Sequence, residues 1–426
     1  MKKTLRLGTL VVLMILLTSC SGNTEDAPIE EASSMQKITG TWKGSIQIPN
    51  QPLPIFVEFE KDGGTLSIPV QGLRDFPFST VEFNDPALVF DLNIQGQRLV
   101  FDGKLEDDKI SGDFTQQGQT FPFELTPDTA EETVEDGDFM EIEVAGGTMK
   151  AEVERPEGKG PFPAMLIIAG SGPTDRDGNS MMLPGKNDSL KMVAEELAAN
   201  GIASIRYDKR GVGMNQALGG SEADLRFDDY IADAAAWVEH LKSDDAFTEV
   251  GIIGHSEGSL IGMVAADQAS ADSFISIAGA GRPIDEVLME QLAAQLAENL
   301  MNEARQIISQ LKKGEQAATV SPELQSVFRP SVQPYMISWL AYDPQKEVAA
   351  LEIPVLIIGG TADSQVPVSD AESLHAAHSE SKLLIIDDMN HVLKTVSDES
   401  ENESAYSNPD LPLAGELMKG IVEFLK

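Results

Sequence analysis

The segment Gly254-His255-Ser256-Glu257-Gly258 constrains this chain more than any other. An apolar run, Val250-Gly251-Ile252-Ile253, leads into it, and a helix-compatible run, Ser259-Leu260-Ile261-Gly262-Met263-Val264-Ala265-Ala266, leads out. A serine with glycine two residues to either side, at the junction of strand and helix, describes a very sharp turn. Only hydrogen at the flanking positions lets strand and helix close on each other. The serine is forced into a strained backbone conformation, and its hydroxyl stands clear of the strand end over the helix N-terminus. Ser256 is the candidate nucleophile.

A serine hydroxyl attacks only when a base takes its proton, and an oriented imidazole is the usual base. Five histidines are available. His240 sits on an amphipathic helix, Ala234–Lys242, and reads as a surface residue. His255 lies inside the turn, on the wrong side of Ser256 to act on it. His375 and His378 have i, i+3 spacing but no acidic or cysteine ligands at motif spacing, so they read as solvated residues and no metal site is expected. His391 follows a β-type run, Lys382–Ile386, in a loop after the last expected strand. A serine of this type takes its partners in the order serine, acid, histidine. The acid is expected after the strand Pro354-Val355-Leu356-Ile357-Ile358-Gly359-Gly360, where Asp363 is the first carboxylate, with a helix from about Val368. Asp343, Asp370, Asp387 and Asp388 are its rivals. Asp343 precedes a proline, Asp370 lies within the helix, and the last two are too close to His391 in sequence to turn back onto it.

Charge developing on the acyl oxygen needs backbone N–H groups aimed at it. One is the amide after the nucleophile, that of Glu257. The second is expected in the loop after the strand Pro163–Ala169, which reads Gly170-Ser171-Gly172-Pro173-Thr174-Asp175-Arg176-Asp177-Gly178. Ser171 is the first choice and Gly172 the alternative. The Glu257 side chain is expected to place a carboxylate beside the pocket mouth and so to disfavour anionic substrates.

These segments, with Ile205-Arg206-Tyr207-Asp208-Lys209-Arg210-Gly211-Val212-Gly213 and Asn390-His391-Val392-Leu393-Lys394, make residues 139–426 resemble a bacterial α/β-hydrolase. The resemblance is greatest to serine carboxylesterases whose oxyanion loop reads G-S-G-P-x-D-R-D. It implies Ser256, Asp363 and His391 as the catalytic triad, ester hydrolysis as the activity, and no metal or organic cofactor. Thioester or peptide cleavage by the same triad stays open as an alternative.

The N-terminus is a second legible region. Met1-Lys2-Lys3-Thr4-Leu5-Arg6 is basic, Leu7–Leu17 is apolar but short for a bilayer span, and Leu17-Thr18-Ser19-Cys20 follows. This resembles a bacterial lipoprotein signal over residues 1–20, with Cys20, the only cysteine, as the lipidated residue. An exported protein held on a membrane of the cell envelope is expected, and Ser21 at the next position favours the outer membrane. With one cysteine, no internal disulfide forms, and stability rests on core burial. The formal net charge of −38 becomes three units more negative without Lys2, Lys3 and Arg6, so nucleic acid is excluded as a partner.

Residues 21–37 read as a polar tether. From 38 to 126 short alternating runs are broken by Gly, Asn and Asp, which argues for a small all-β sandwich or barrel. Its opening, Gly40-Thr41-Trp42-Lys43-Gly44, resembles the β-rich domain preceding the hydrolase in some bacterial esterases. It either binds a ligand or serves as a spacer or wall. An acidic linker, 127–138, follows. Within the larger domain, 283–346 has helical character, with apolar spacing over Val287–Leu311, and is expected to cap the active site. Met289, Met301, Phe328, Tyr335, Met336 and Trp339 are candidate pocket liners. No acidic pair there suggests a clamp for an amino terminus. The expected architecture is thus an α/β-hydrolase fold with a helical cap insertion behind a small β domain. The expected protein is a lipid-anchored serine carboxylesterase acting on a small-molecule ester. The reading from another class is a non-catalytic ligand-binding lipoprotein.

Overall fold

The alternating pattern of the N-terminal region becomes nine strands: β1 (Gly40–Ile46), β2 (Leu53–Glu60), β3 (Gly63–Ile68), β4 (Leu73–Pro77), β5 (Thr80–Asn84), β6 (Ala87–Ile94), β7 (Gln97–Glu106), β8 (Lys109–Gln116) and β9 (Gln119–Pro127). The computed structural model describes residues 35–48, 53–61, 63–68, 73–94, 97–116, 118–128, 137–180, 185–293 and 296–426. The signal, Cys20, residues 21–34 of the tether and residues 129–136 of the acidic linker lie outside the described residues. No helix among the described residues is long and apolar enough to cross a membrane. The chain divides into two compact units. One holds the nine strands together with Val320–Val327, the other Asp136–Thr319 and Phe328–Lys426.

The nine strands form one antiparallel sheet in the order β4-β3-β2-β1-β9-β8-β7-β6-β5. Four strands separate β2 from β6, which would put them about 24 Å apart in a flat sheet. The rings of Phe59 on β2 and Phe90 on β6 are nevertheless 5.4 Å apart. The sheet is therefore curled into a half-barrel. The edges meet through the chain itself, because only Phe78 and Ser79 join β4 to β5. Phe78 N donates to Gly64 O at 2.9 Å and Ser79 N to Asp91 O at 2.7 Å, one on each side of the seam. The interior is filled with rings. Phe90 stacks on Phe101 at 4.5 Å, and Phe123 meets Phe101 edge-on at 5.1 Å, all three fully buried. Such ring pairs add to the area they bury.

The second unit is built on β10 (Asp138–Val144), β11 (Gly147–Glu154), β12 (Phe162–Ile168), β13 (Ala203–Tyr207), β14 (Phe247–His255), β15 (Ser273–Ile277), β16 (Val355–Gly360) and β17 (Lys382–Ile386). Their order is β10-β11-β13-β12-β14-β15-β16-β17, with β10 and β11 antiparallel and the rest parallel. Leu166 and Ile168 of β12 point into one core, with α2 (Phe227–Ser243) and α3 (Glu257–Gln268). Met165 and Ile167 point into the other, with α1 (Ser189–Ala199) and a C-terminal helix, Leu417–Leu425. Cover on both faces explains why these strands read as unbroken apolar runs. This is the α/β-hydrolase fold.

Between β15 and β16 the chain inserts α4 (Ile284–Ala293), α5 (Glu298–Leu311), α6 (Gln325–Phe328), α7 (Gln333–Trp339) and α8 (Pro344–Ala350). The periodic stretch Val287–Leu311 is thus two helices, the second entered from Ala297 in an extended conformation (φ −70°, ψ 155°). No glycine or proline marks that break. Of the candidate pocket liners, Met301, Phe328, Tyr335 and Met336 are buried. Tyr335 and Trp339 pack with Phe227, Trp339 stacking on it at 5.4 Å, so these two are core.

Because Phe101 touches Phe90, Phe114 and Phe123, Phe101→Ala is expected to cost about 3–5 kcal/mol. A denaturation midpoint unchanged from the native chain would contradict the packing described.

Candidate active site

Strand order reverses at β12. The crossover through α1 places β13 on one side of it, and the crossover through α2 places β14 on the other. In open parallel sheets a crevice forms outside the C-terminal ends at such a point. The loops after β12 and β14 carry the candidate oxyanion segment and Ser256.

Ser256 has φ 55°, ψ −120° and N-caps α3. A non-glycine residue held there stores about 1–3 kcal/mol of strain. Its N–H donates to Ile277 O at 2.9 Å, fixing the turn to the end of β15. A Cβ on Gly254 would lie 2.3 Å from Gly258 O, and one on Gly258 would lie 2.3 Å from Ile168 O. Any side chain at either position would push the helix off the sheet.

Asp363, in the loop after β16, accepts from His391 Nδ1 at 2.8 Å through one oxygen. Its other oxygen accepts the N–H groups of Gln365 at 2.8 Å and Val366 at 2.9 Å. Burial works against its charge, but His391 and these donors hold the carboxyl below its usual range. The pair is buried. The bond leaves His391 Nε2 as the nitrogen free to take a proton. Ser256 Oγ makes no hydrogen bond to it among the described residues. His255, next to Ser256, brings the two segments together: its Nε2 donates to His391 O at 2.8 Å, and the two rings lie 5.0 Å apart. A carbonyl can only accept, so the His255 proton sits on Nε2. Burial, with the His391 ring adding to it, pushes the His255 imidazole down to about 4. His255 is a neutral strut between the nucleophile turn and the histidine loop.

The rival aspartates are committed elsewhere. Asp343 caps α8 through Gln345 N, and Asp370 is buried against Arg282 at 2.8 and 3.0 Å. Asp387 and Asp388 are exposed. His375 bonds Ser381 Oγ at 2.8 Å and His378 bonds Leu351 O at 3.0 Å, each tying down its own loop. No cluster of metal-ligating side chains occurs among the described residues.

Ser171 and Gly172 are exposed in the loop after β12, with Gly172 at φ 71°. Gly170 lies against Ser256, since a Cβ there would be 3.2 Å from Ser256 Cβ. The Glu257 amide is at the first position of α3, where helix N–H groups have no partner within the helix. The expectation for its side chain is corrected. Glu257 is 7% exposed, and its carboxylate accepts from Lys209 Nζ at 2.7 Å and Tyr335 Oη at 2.6 Å. Buried and paired with Lys209 and Tyr335, the carboxylate does not present a free charge at the pocket mouth.

The ionisable run that begins in β13 at Arg206 and continues past its end stitches this end of the sheet. Arg206, with no exposed surface, lies between Glu152 and Asp177 at 3.1 and 3.2 Å. Asp208 accepts from Arg176 N at 2.7 Å and Met214 N at 2.9 Å. Arg210 forks onto Asp233, and Lys209 reaches Gly170 O as well as Glu257. In the histidine loop, Lys394 is buried against Leu411 O and Met192 Sδ, and burial lowers its pKa to about 8. Sequence reasoning placed these residues in motifs without their contacts. The signal available was several consecutive charges at the end of an apolar strand.

Residues 187–395 match the family described as Hydrolase_4: Serine aminopeptidase, S33. The chain is similar to Esterase EstD of Thermotoga maritima, 30% identical over 292 residues, which is 67% of this chain and 66% of that protein. Solved structures similar to it include Est1E from Butyrivibrio proteoclasticus, at 19% identity and a TM-score of 0.44 over 68% of this chain and 99% of that one. Another is a thermophilic esterase from Thermogutta terrifontis, at 18% and 0.42 over 68% and 98%.

His255 gives a pH prediction. Its folded-state pKa lies below the ordinary 6.5, so it contributes stability fully above that pH and loses it as pH falls toward the folded value. The unfolding free energy should drop by about 3 kcal/mol from this group between pH 6.5 and 4. His255→Gln, which keeps an N–H donor and does not titrate, should flatten that part of the slope in urea titrations. Parallel slopes for the two proteins would rule the account out.

Proposed function

We propose that the chain is a serine esterase. One observation carries the reading: a buried carboxylate–imidazole pair, Asp363 to His391 at 2.8 Å, is joined through His255 to a serine held at φ 55° on a helix N-terminus. A structural ion pair needs no strained serine beside it. In the proposed reaction, Ser256 Oγ attacks the ester carbonyl while His391 Nε2 takes its proton. Asp363 holds the tautomer and stabilises the imidazolium. The N–H groups of Glu257 and Ser171, with Gly172 as the alternative to the latter, receive the oxyanion. His391 returns the proton to the departing alcohol, and water attacking the acyl-serine by the same route releases the acid.

The similarity to an esterase supports an ester as substrate, and short to medium acyl groups are the range proposed. The matched family's description also names aminopeptidases. Against that reading, the carboxylate next to Ser256 in sequence, Glu257, is engaged by Lys209 and Tyr335 and is not available to a substrate ammonium. The buried rings of Phe90, Phe101 and Phe123 in the half-barrel give the binding-lipoprotein reading no support. We further propose that Cys20 carries lipid and holds the enzyme on an envelope membrane, on the sequence pattern alone; Cys20→Ser should move the protein into the soluble fraction.

The test is hydrolysis of nitrophenyl esters from acetyl to long acyl, beside Ser256→Ala and Asp363→Asn. Turnover is expected to fall by about four to six orders of magnitude in the first variant and by about 10⁴ in the second. Activity surviving in Ser256→Ala would remove the assigned nucleophile. A native enzyme silent on esters but active on acyl thioesters or peptides would keep the triad and replace the substrate.

A further inference from the structure

Lys209 is 1% exposed and has no role in the proton transfers. Its ammonium donates to Gly170 O and to Glu257 Oε2 at 2.7 Å, and it lies 5.1 Å from the centroid of the Tyr230 ring. The two acceptors belong to the two segments that carry the proposed oxyanion donors. That coincidence has a geometric consequence.

The peptide between Gly170 and Ser171 is a rigid trans unit, so its C=O and N–H point in opposite directions. A cation fixed on Gly170 O therefore fixes the direction of the Ser171 N–H on the other side. Ser256 Cβ lies beside this peptide, and the Ser171 N–H has no hydrogen-bond partner among the described residues. On the second segment, the Glu257 carboxylate and the Glu257 N–H are parts of one residue. That carboxylate is held by Lys209 and by Tyr335 Oη. Burial and the neighbouring carboxylate keep the Tyr335 hydroxyl protonated, so it acts as a standing donor.

We infer that Lys209 is a positioning residue for the oxyanion hole. A single ammonium grips Gly170 O and the Glu257 side chain from behind, and so sets the direction and spacing of the Ser171 and Glu257 N–H groups. An ion pair serving stability alone would need only Glu257; the grip on the Gly170 carbonyl is what reaches the reacting atoms. This rests on the serine-hydrolase reading and deepens it. Ammonium suits the task because it carries three donors and no acceptor.

The experiment compares native enzyme, Ser256→Ala, Lys209→Met, and the double variant Lys209→Met with Glu257→Gln. The double variant removes both charges of this pair, leaving neither unpaired, and keeps an acceptor for Tyr335, so it guards against a single variant that fails to fold. Active sites are counted by stoichiometric phosphorylation with diethyl nitrophenyl phosphate. Each variant is then assayed on a nitrophenyl ester and against a trifluoromethyl ketone that forms a tetrahedral adduct. In both Lys209 variants, kcat per titrated site is expected to fall about ten- to a hundredfold, less than the loss of a whole donor. KM should stay within about threefold, and the inhibition constant for the ketone should rise by the factor that kcat/KM falls. Turnover per titrated site at the native level in either variant would overturn the inference, even where the number of sites falls, because it assigns Lys209 to folding alone. The serine-hydrolase reading fails separately and earlier, in the first two proteins: no phosphorylation of native enzyme, or activity surviving in Ser256→Ala.

Discussion

The approach of α3 to the ends of β12 and β14 governs everything at this end of the sheet. Backbone meets backbone there, with no room for a Cβ on Gly254 or Gly258. The strand can enter a helix at that distance only by passing through a residue of positive φ, and Ser256 is that residue. Three consequences follow from the one contact. The hydroxyl is carried off the helix axis and clear of the strand. The Glu257 N–H, at the first position of α3, has no partner within the helix. The next side chain, Glu257, is turned inward, where a carboxylate must find partners within the protein. The strain at Ser256 is balanced by the core that α3 buries on the sheet face, residues such as Ile261, Met263 and Ala265.

Around this contact lies an unusual amount of buried charge: Arg206 with Glu152 and Asp177, Arg210 with Asp233, Lys209 with Glu257. Removing such groups from water costs several kcal/mol per ion, and apolar residues of the same volume often hold a core as well. What an apolar residue lacks is direction. Arg210 forks onto Asp233 at a fixed angle, and Asp208 accepts two backbone N–H groups from different loops. Each of these contacts pins a loop in one orientation. The loops after β12, β13 and β14 have few apolar side chains of their own, so polar contacts are the means left to immobilise them.

Ser256, Asp363 and His391 were legible in the sequence because each is tied to a strand end, and strand ends are what apolar runs reveal. The run Lys382–Ile386 is the observed β17 to the residue, and the helix after Asp363 begins at Val368. The contacts of Lys209 were not legible. They join positions 39 and 48 residues away, a separation at which no periodic signal survives. The misreading of Glu257 has a specific cause. Glu257 to Ala266 are buried without interruption, so the helix has no polar face, and a charge at its start looks exposed by default. His255 was discounted as a base for a sound reason, its side of the turn. Its backbone partner, His391 O, lies 136 positions away and leaves no trace in sequence spacing. The β domain was readable as a small all-β sandwich or barrel; the choice between the two was not, because closure depends on the two-residue link between the sheet's edges.

In the proposed reaction, the pairing of Lys209 with Glu257 also decides what field the reacting oxygen feels. A lone ammonium behind Gly170 would attract any anion into the crevice, substrate carboxylate and product acid included, and would stabilise ground states as well as the oxyanion. Glu257 cancels that charge at 2.7 Å, and Tyr335 Oη spreads the carboxylate over a second donor. What remains at the crevice is a set of fixed N–H dipoles and the N-terminal end of α3, both short in range and directional. These favour charge at the position where a tetrahedral oxygen would sit and contribute little elsewhere, which is the condition for binding a transition state more strongly than its substrate. The carboxylate one residue past the nucleophile thus shapes the site by neutralising the cation that positions it.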